Sequence, residues 1–159
     1  VPDILVSPDL RMIAIREPGA VYLQQTGHDD FTLGEWRRFF AGRPVVALPG
    51  VGKLDGGRVV CSPEGCVLPG RGIGAGAVLV WRAYGPPANC LGFGVIVSPG
   101  YLDEMDGPGC GSVAVVDRDR VRSGQAIAIR LGPNGARITA DRDGRGVWPW
   151  LPPIRPLPQ

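Results

Sequence analysis

Cys61-Ser62-Pro63-Glu64-Gly65-Cys66 lies between two apolar runs, Arg58-Val59-Val60 before it and Val67-Leu68 after it. Pro63 presets the backbone for a turn and Gly65 accepts a positive φ, so Ser-Pro-Glu-Gly predicts a tight turn between two strands. Such a turn brings its two ends together and places both sulfurs within bonding reach. Cys90 and Cys110 likewise flank a strand-and-turn unit. The same alternation of short apolar runs with Gly- and Pro-rich turns recurs along most of the chain and predicts a sheet-dominated fold.

Toward the N-terminus, Asp3–Val6, Met12–Ile15 and Val21–Leu23 read as three strands of an antiparallel meander. Their turns are Ser7-Pro8-Asp9 and Glu17-Pro18-Gly19. Thr32 followed by Glu35 is a capping box and opens a helix. Leu33, Trp36 and Phe40 share one face of it, and Gly42 and Pro44 end it. Residues 42–57 read as a loop.

Toward the C-terminus, strands are expected at Gly76–Trp81, Val95–Val97 and Val113–Val116, with a helical turn at Asp117–Val121. Two more strands, Ala126–Leu131 and Ala136–Ala140, are joined by Gly132-Pro133-Asn134-Gly135, whose Asn-Gly is the sharpest hairpin signal in the chain. The expected organisation is one globular domain over 1–140 and a Pro/Trp-rich tail over 141–159. The tail contains Trp148-Pro149-Trp150 and Pro153-Ile154-Arg155-Pro156, a composition that favours polyproline II or disorder. The expected class is α+β, sheet-dominated, with few short helices.

Hydrophobic residues make up 44% of the 159, enough for a real core. The 25 Gly and 17 Pro reach a level that elsewhere marks disorder, but here they fall between apolar runs and read as turns. A net charge of +2 is too balanced to demand a polyanionic partner. The longest uncharged stretch, Ala83–Leu102, is interrupted by prolines and glycines and does not read as a membrane span. A start at Val1, with no initiator Met, is the expectation for a piece of a longer polypeptide.

Few side chains suggest chemistry. The cysteine spacings, C-x4-C and C-x19-C, are looser than the paired C-x2-C of structural zinc sites. Disulfides, buried thiols and a metal remain open; among the three pairings, locality favours Cys61–Cys66 with Cys90–Cys110. Disulfides would require an oxidising compartment. His28-Asp29-Asp30 holds the only His in the chain and reads as a solvated loop. Gly50-Val51-Gly52-Lys53-Leu54 lacks the first Gly and the Ser/Thr of a phosphate-binding loop, and Gly72-Ile73-Gly74-Ala75-Gly76 precedes a strand; both read as turns. Arg118, Arg120 and Arg122 in an Asp-Arg run read as a solvated helical turn whose aspartates neutralise most of the field, and Arg37 and Arg38 on the helix read likewise; the alternative at all five is a contact to phosphate.

Several of these segments, taken in order, resemble the C-terminal soluble region of ComEC-family competence proteins of the alphaproteobacterial type. The opening Asp3-Ile4-Leu5-Val6-Ser7 with Met12-Ile13-Ala14-Ile15-Arg16 resembles the strand pair after that family's last membrane helix. Phe31–Trp36 is similar to its Trp-bearing helix, and Val60–Cys66 to its Cys-Asp-x-x-Gly-Cys hairpin, with Ser62 in place of the Asp. Asn89-Cys90, Gly94–Ser98, Gly109-Cys110 through Asp117-Arg118, Ser123–Ala126 and Trp148–Pro152 resemble its later motifs. The likeness runs in register over nearly the whole chain.

The resemblance implies the extracytoplasmic, periplasmic side of a cell inner membrane and a channel for DNA uptake in natural transformation. It also implies a degenerate metallo-β-lactamase-like sandwich. That family's His-x-His-x-Asp-His metal cluster cannot be placed on a chain with His28 alone. The expectation is therefore a non-catalytic domain with no cofactor and no small-molecule ligand. Its partners would be the membrane channel portion of the same polypeptide and, weakly, DNA, whose backbone Arg37, Arg38, Arg118, Arg120 and Arg122 would contact. The alternatives are a metal-dependent hydrolase using Asp29, Asp30 and distant acids, and an interaction module using the proline tail.

Overall fold

The structure, a computed structural model, describes residues 2–26, 30–40, 42–70, 76–102, 105–121 and 125–140. Twelve strands run in chain order: β1 (Ile4–Val6), β2 (Met12–Arg16), β3 (Val21–Gln25), β4 (Val45–Ala47), β5 (Gly52–Leu54), β6 (Val59–Ser62), β7 (Gly65–Leu68), β8 (Ala77–Trp81), β9 (Phe93–Val97), β10 (Ala114–Val116), β11 (Ile127–Gly132) and β12 (Gly135–Ala140). Helix α1 (Asp30–Phe39) joins β3 to β4, and α2 (Arg118–Val121) follows β10.

The strands form two six-stranded sheets, ordered β12-β11-β1-β2-β3-β4 and β10-β9-β8-β7-β6-β5. The period-2 geometry of a strand explains how they stack. Ile4, Val6, Ile13, Ile15, Ile127 and Ile129 of the first sheet share one buried cluster with Val59, Leu68, Val78, Val80, Val95 and Val97 of the second. The intervening residues Leu5, Met12, Ala14 and Ala128 point the other way and are covered by Trp36 of α1 and by Phe40 just after it. On the second sheet, Leu79 and Ile96 point outward and are covered by Cys90, Leu102 and Cys110. Each fully buried side chain of this size contributes roughly 1.5–3 kcal/mol.

The expected α+β class is overturned. Among the described residues the α-helices are one of ten residues and one of four, against twelve strands, so the domain is β-rich. The expectation of a degenerate metallo-β-lactamase-like sandwich falls with it. Of the two outer faces, α1 covers one, and the other is covered by a loop held by Cys90 and Cys110. Part of the error lies at 42–57, read as loop, which holds β4 and β5. β4 pairs in parallel with β3, and β5 pairs antiparallel with β6. Three-residue strands bounded by Pro or Gly carry too little periodicity to be seen.

Other readings hold with local changes. The β1-β2-β3 meander is antiparallel, as expected. Helix α1 begins at Asp30, two residues ahead of the capping-box reading. In the last hairpin Gly132 pairs with Gly135, so Pro133-Asn134 form the turn and the Asn-Gly pair does not. Gly65 has no positive φ. It is required for another reason: it pairs across from Trp81, and a Cβ there would run into the Val80 carbonyl oxygen.

Asp3 ties three strands together. Its Oδ1 accepts from Arg16 Nη2 at 2.8 Å and its Oδ2 from the Leu131 backbone N–H at 2.7 Å. Its own N–H donates to the Ile129 carbonyl at 2.9 Å, and its carbonyl accepts from Arg16 N–H at 2.8 Å. The ion pair is enclosed, with Asp3 and Arg16 side chains 8% and 14% exposed.

Tyr22 is buried between the sheets. Desolvation, followed by the charges of Asp55 and Glu17, raises its phenol above the ordinary tyrosine range, with Arg58 acting in the opposite sense. Because the folded-state value is raised, its contribution is fully present below the unfolded-state value of about 10 and is lost as pH rises through the folded one. Tyr22→Phe is therefore expected to flatten the fall in stability above about pH 10. Urea midpoints measured across that range check it; an unchanged alkaline slope would show that Tyr22 does not set the limb.

Candidate functional site

The four cysteines form two disulfides. Cys61 and Cys66 are directly opposed on β6 and β7, with Cα atoms 4.1 Å apart. Cys90 and Cys110 are joined with Cα atoms 4.9 Å apart, and the Cys90 N–H donates to the Pro108 carbonyl beside them at 2.8 Å. These are the two local pairings favoured from spacing.

The candidate arginines sit on different elements. Arg37 and Arg38 are exposed on α1, over the first sheet, and Arg38 pairs with Glu35 at 3.0 Å. Arg118 and Arg120 are exposed on α2, beyond the edge strand of the second sheet. Arg122, His28 and Asp29 lie outside the described residues, as do 71–75 and the whole 141–159 tail. Asp30 is the first residue of α1, its side chain outside the description. The Gly50–Leu54 stretch ends in β5 and is followed by a single 3-10 turn at Asp55–Gly57, not by the α-helix of a phosphate-binding loop. Among the described residues no three His, Cys, Asp or Glu side chains gather where they could hold a metal ion.

A concavity among the described residues lies at one end of the second sheet. There β8, β9 and β10 run parallel, so the segments following them leave from the same edge. Two of those segments, 82–85 and 98–101, with Thr26, line an open cleft of about 470 Å³. Tyr84 and Tyr101 both line it and are the two exposed aromatics of the described residues, Tyr84 fully exposed and Tyr101 at 56%.

Both loops are fixed by specific bonds. Trp81 Nε1 donates to the Gly85 carbonyl at 2.7 Å and closes the first. Behind it, Arg82 donates to Gln24 Oε1, to the carbonyls of Pro49 and Gly50, and to the Ser62 carbonyl, at 3.3, 2.9, 3.1 and 2.6 Å. In the second loop, Ser98 Oγ accepts from the Gly100 N–H at 3.1 Å. The buried Asp117 accepts from the Leu102 N–H at 2.8 Å through Oδ2 and from the Arg120 N–H at 3.2 Å through Oδ1. That carboxylate holds the end of the Tyr101 loop and starts α2 together. Arg118 is tied to the backbone of that loop, its N–H donating to the Gly100 carbonyl at 3.0 Å and its Nε to the Pro99 carbonyl at 3.1 Å.

Of the predicted arginines, Arg118 alone is bonded to this cleft; Arg82, Tyr84 and Tyr101 were not singled out from the sequence. The available signal was an aromatic beside a glycine just past an apolar run, Tyr84-Gly85 and Gly100-Tyr101. A second depression of about 380 Å³ lies on the outer face of the second sheet, where Val67, Trp81, Leu91 and Phe93 are among its lining.

The chain is a disulfide-bonded, β-rich domain of the kind that folds in an oxidising compartment. Among the described residues no helix is long and apolar enough to cross a membrane. The chain matches no protein-family model, no curated protein and no solved structure.

Proposed function

We propose that this chain is a non-catalytic extracytoplasmic domain of a ComEC-type DNA-uptake channel, on the periplasmic side of the inner membrane. The observation that carries the reading is the pair of local disulfides, Cys61–Cys66 and Cys90–Cys110. They bridge the cysteines of the two motifs on which the resemblance most depends, and they suit the compartment that such a channel faces. The domain's role is structural: it braces the channel portion of the same polypeptide and offers passing DNA a weak contact.

The test is made in the bacterium that encodes the chain. The domain is deleted in frame from its parent gene and uptake of labelled DNA is measured. In parallel, a reporter enzyme active only outside the cytoplasm is fused after the domain. The expected result is an active reporter and a clear loss of uptake. An inactive reporter, or uptake at the wild-type level, would overturn the reading.

A further inference from the structure

We infer that the cleft between the 82–85 and 98–101 loops is a contact point for single-stranded nucleic acid, with Tyr84 and Tyr101 as stacking surfaces and Arg118 as the phosphate contact. The inference deepens the function proposed above and rests on it for the identity of the strand.

The first argument is exposure. A fully exposed Tyr84 and a Tyr101 at 56% leave apolar ring faces in water, and both belong to one cleft. Tyr22, the remaining tyrosine, is 5% exposed in the core. Solvent-exposed aromatics on a groove are the feature by which bases are held without regard to sequence, since every base has a π-face.

The second is charge. Arg82 lines the cleft, and the exposed Arg118 is bonded to two of its lining residues, Pro99 and Gly100. Arg118 spends Nε and its backbone N–H on the wall and leaves the end of its guanidinium for a phosphate oxygen. Arg82 is committed to four oxygens and supplies field alone.

The third is preorganisation. The Trp81–Gly85 bond and the Asp117–Leu102 bond hold the two tyrosine-bearing loops at the same end of neighbouring parallel strands. Little ordering is then left for the moment of binding. A neutral sugar would use the rings but not the arginine, so salt dependence separates the two ligand classes.

The test is a fluorescence anisotropy titration of labelled oligo-dT, about 16 nucleotides long, at low and physiological salt. Wild-type protein is expected to bind weakly and more tightly at low salt. Tyr84→Ala and Tyr101→Ala are each expected to weaken binding about tenfold at unchanged thermal stability, while Tyr84→Phe and Tyr101→Phe keep it. Arg118→Gln is expected to lower the salt slope by about one. No binding at low salt, alanine variants that bind like wild type, or equal affinity for an uncharged oligosaccharide would each overturn the inference. Its failure is distinct from failure of the channel reading. Oligonucleotide binding by the domain together with normal uptake in the deletion strain removes the channel and leaves the cleft; the converse removes the cleft alone.

Discussion

Asp3→Ala is expected to lower the stability of the domain by about 3–5 kcal/mol, the effect of removing one partner from an enclosed ion pair. The residue lies just ahead of β1. Here it holds β1 to β2 through Arg16 and β1 to β11 through the Leu131 N–H. The substitution removes the carboxylate 2.8 Å from the guanidinium of Arg16, which is 14% exposed, and the carboxylate oxygen 2.7 Å from the Leu131 N–H. Urea unfolding followed by tryptophan fluorescence measures the change. Replacing both partners, Asp3→Ala with Arg16→Met, is expected to recover part of the loss, because the enclosed guanidinium is removed together with the carboxylate. A single-variant loss below about 1 kcal/mol, the size of an exposed pair, would show that Asp3 is not the tie described.

Replacing Cys90 and Cys110 together by Ala is expected to cost about 3 kcal/mol, from the chain entropy of the loop between them. On a domain of this size that corresponds to a fall in melting temperature of roughly 6–12 °C. The Cys61→Ala/Cys66→Ala pair is expected to cost less, because β6 and β7 already hold those positions opposite each other. The outer bridge has a second role: both its cysteines cover Leu79 and Ile96, so its loss exposes that face of the second sheet. Calorimetry of the two double variants orders the bridges, and an equal or reversed order would contradict the assignment of the 90–110 loop as the cover of that face.

Much of the sheet pattern was legible because the runs around Ile4, Ile13, Tyr22, Val78, Val95 and Ile127 are apolar, short and punctuated. The cysteine pairing was legible because locality and hairpin geometry agree. What was not legible depends on partners distant in sequence. Val45–Ala47 becomes a strand because β3 lies beside it, and Gly52–Leu54 because β6 does. Gly65 was assigned to the turn, whereas the approach of Val80 explains it. Tyr84 and Tyr101 are separated by sixteen intervening residues and share a cleft because β8 and β9 are parallel neighbours, a fact no local pattern carries. The α+β expectation failed for the same reason: one helix gave a clear signal, and the short edge strands gave none.

The order of strands also bears on how the protein is made. The second sheet uses β5 through β10 without a gap, whereas the first needs β1–β4 from the beginning and β11–β12 from the end. Ile4 waits for Ile129. All four cysteines belong to the uninterrupted segment, so both covalent links are able to form on a nascent chain before its opening strands find their last neighbours. An oxidase acting during export would thus meet a half-built molecule, with the slow, long-range closure still to come.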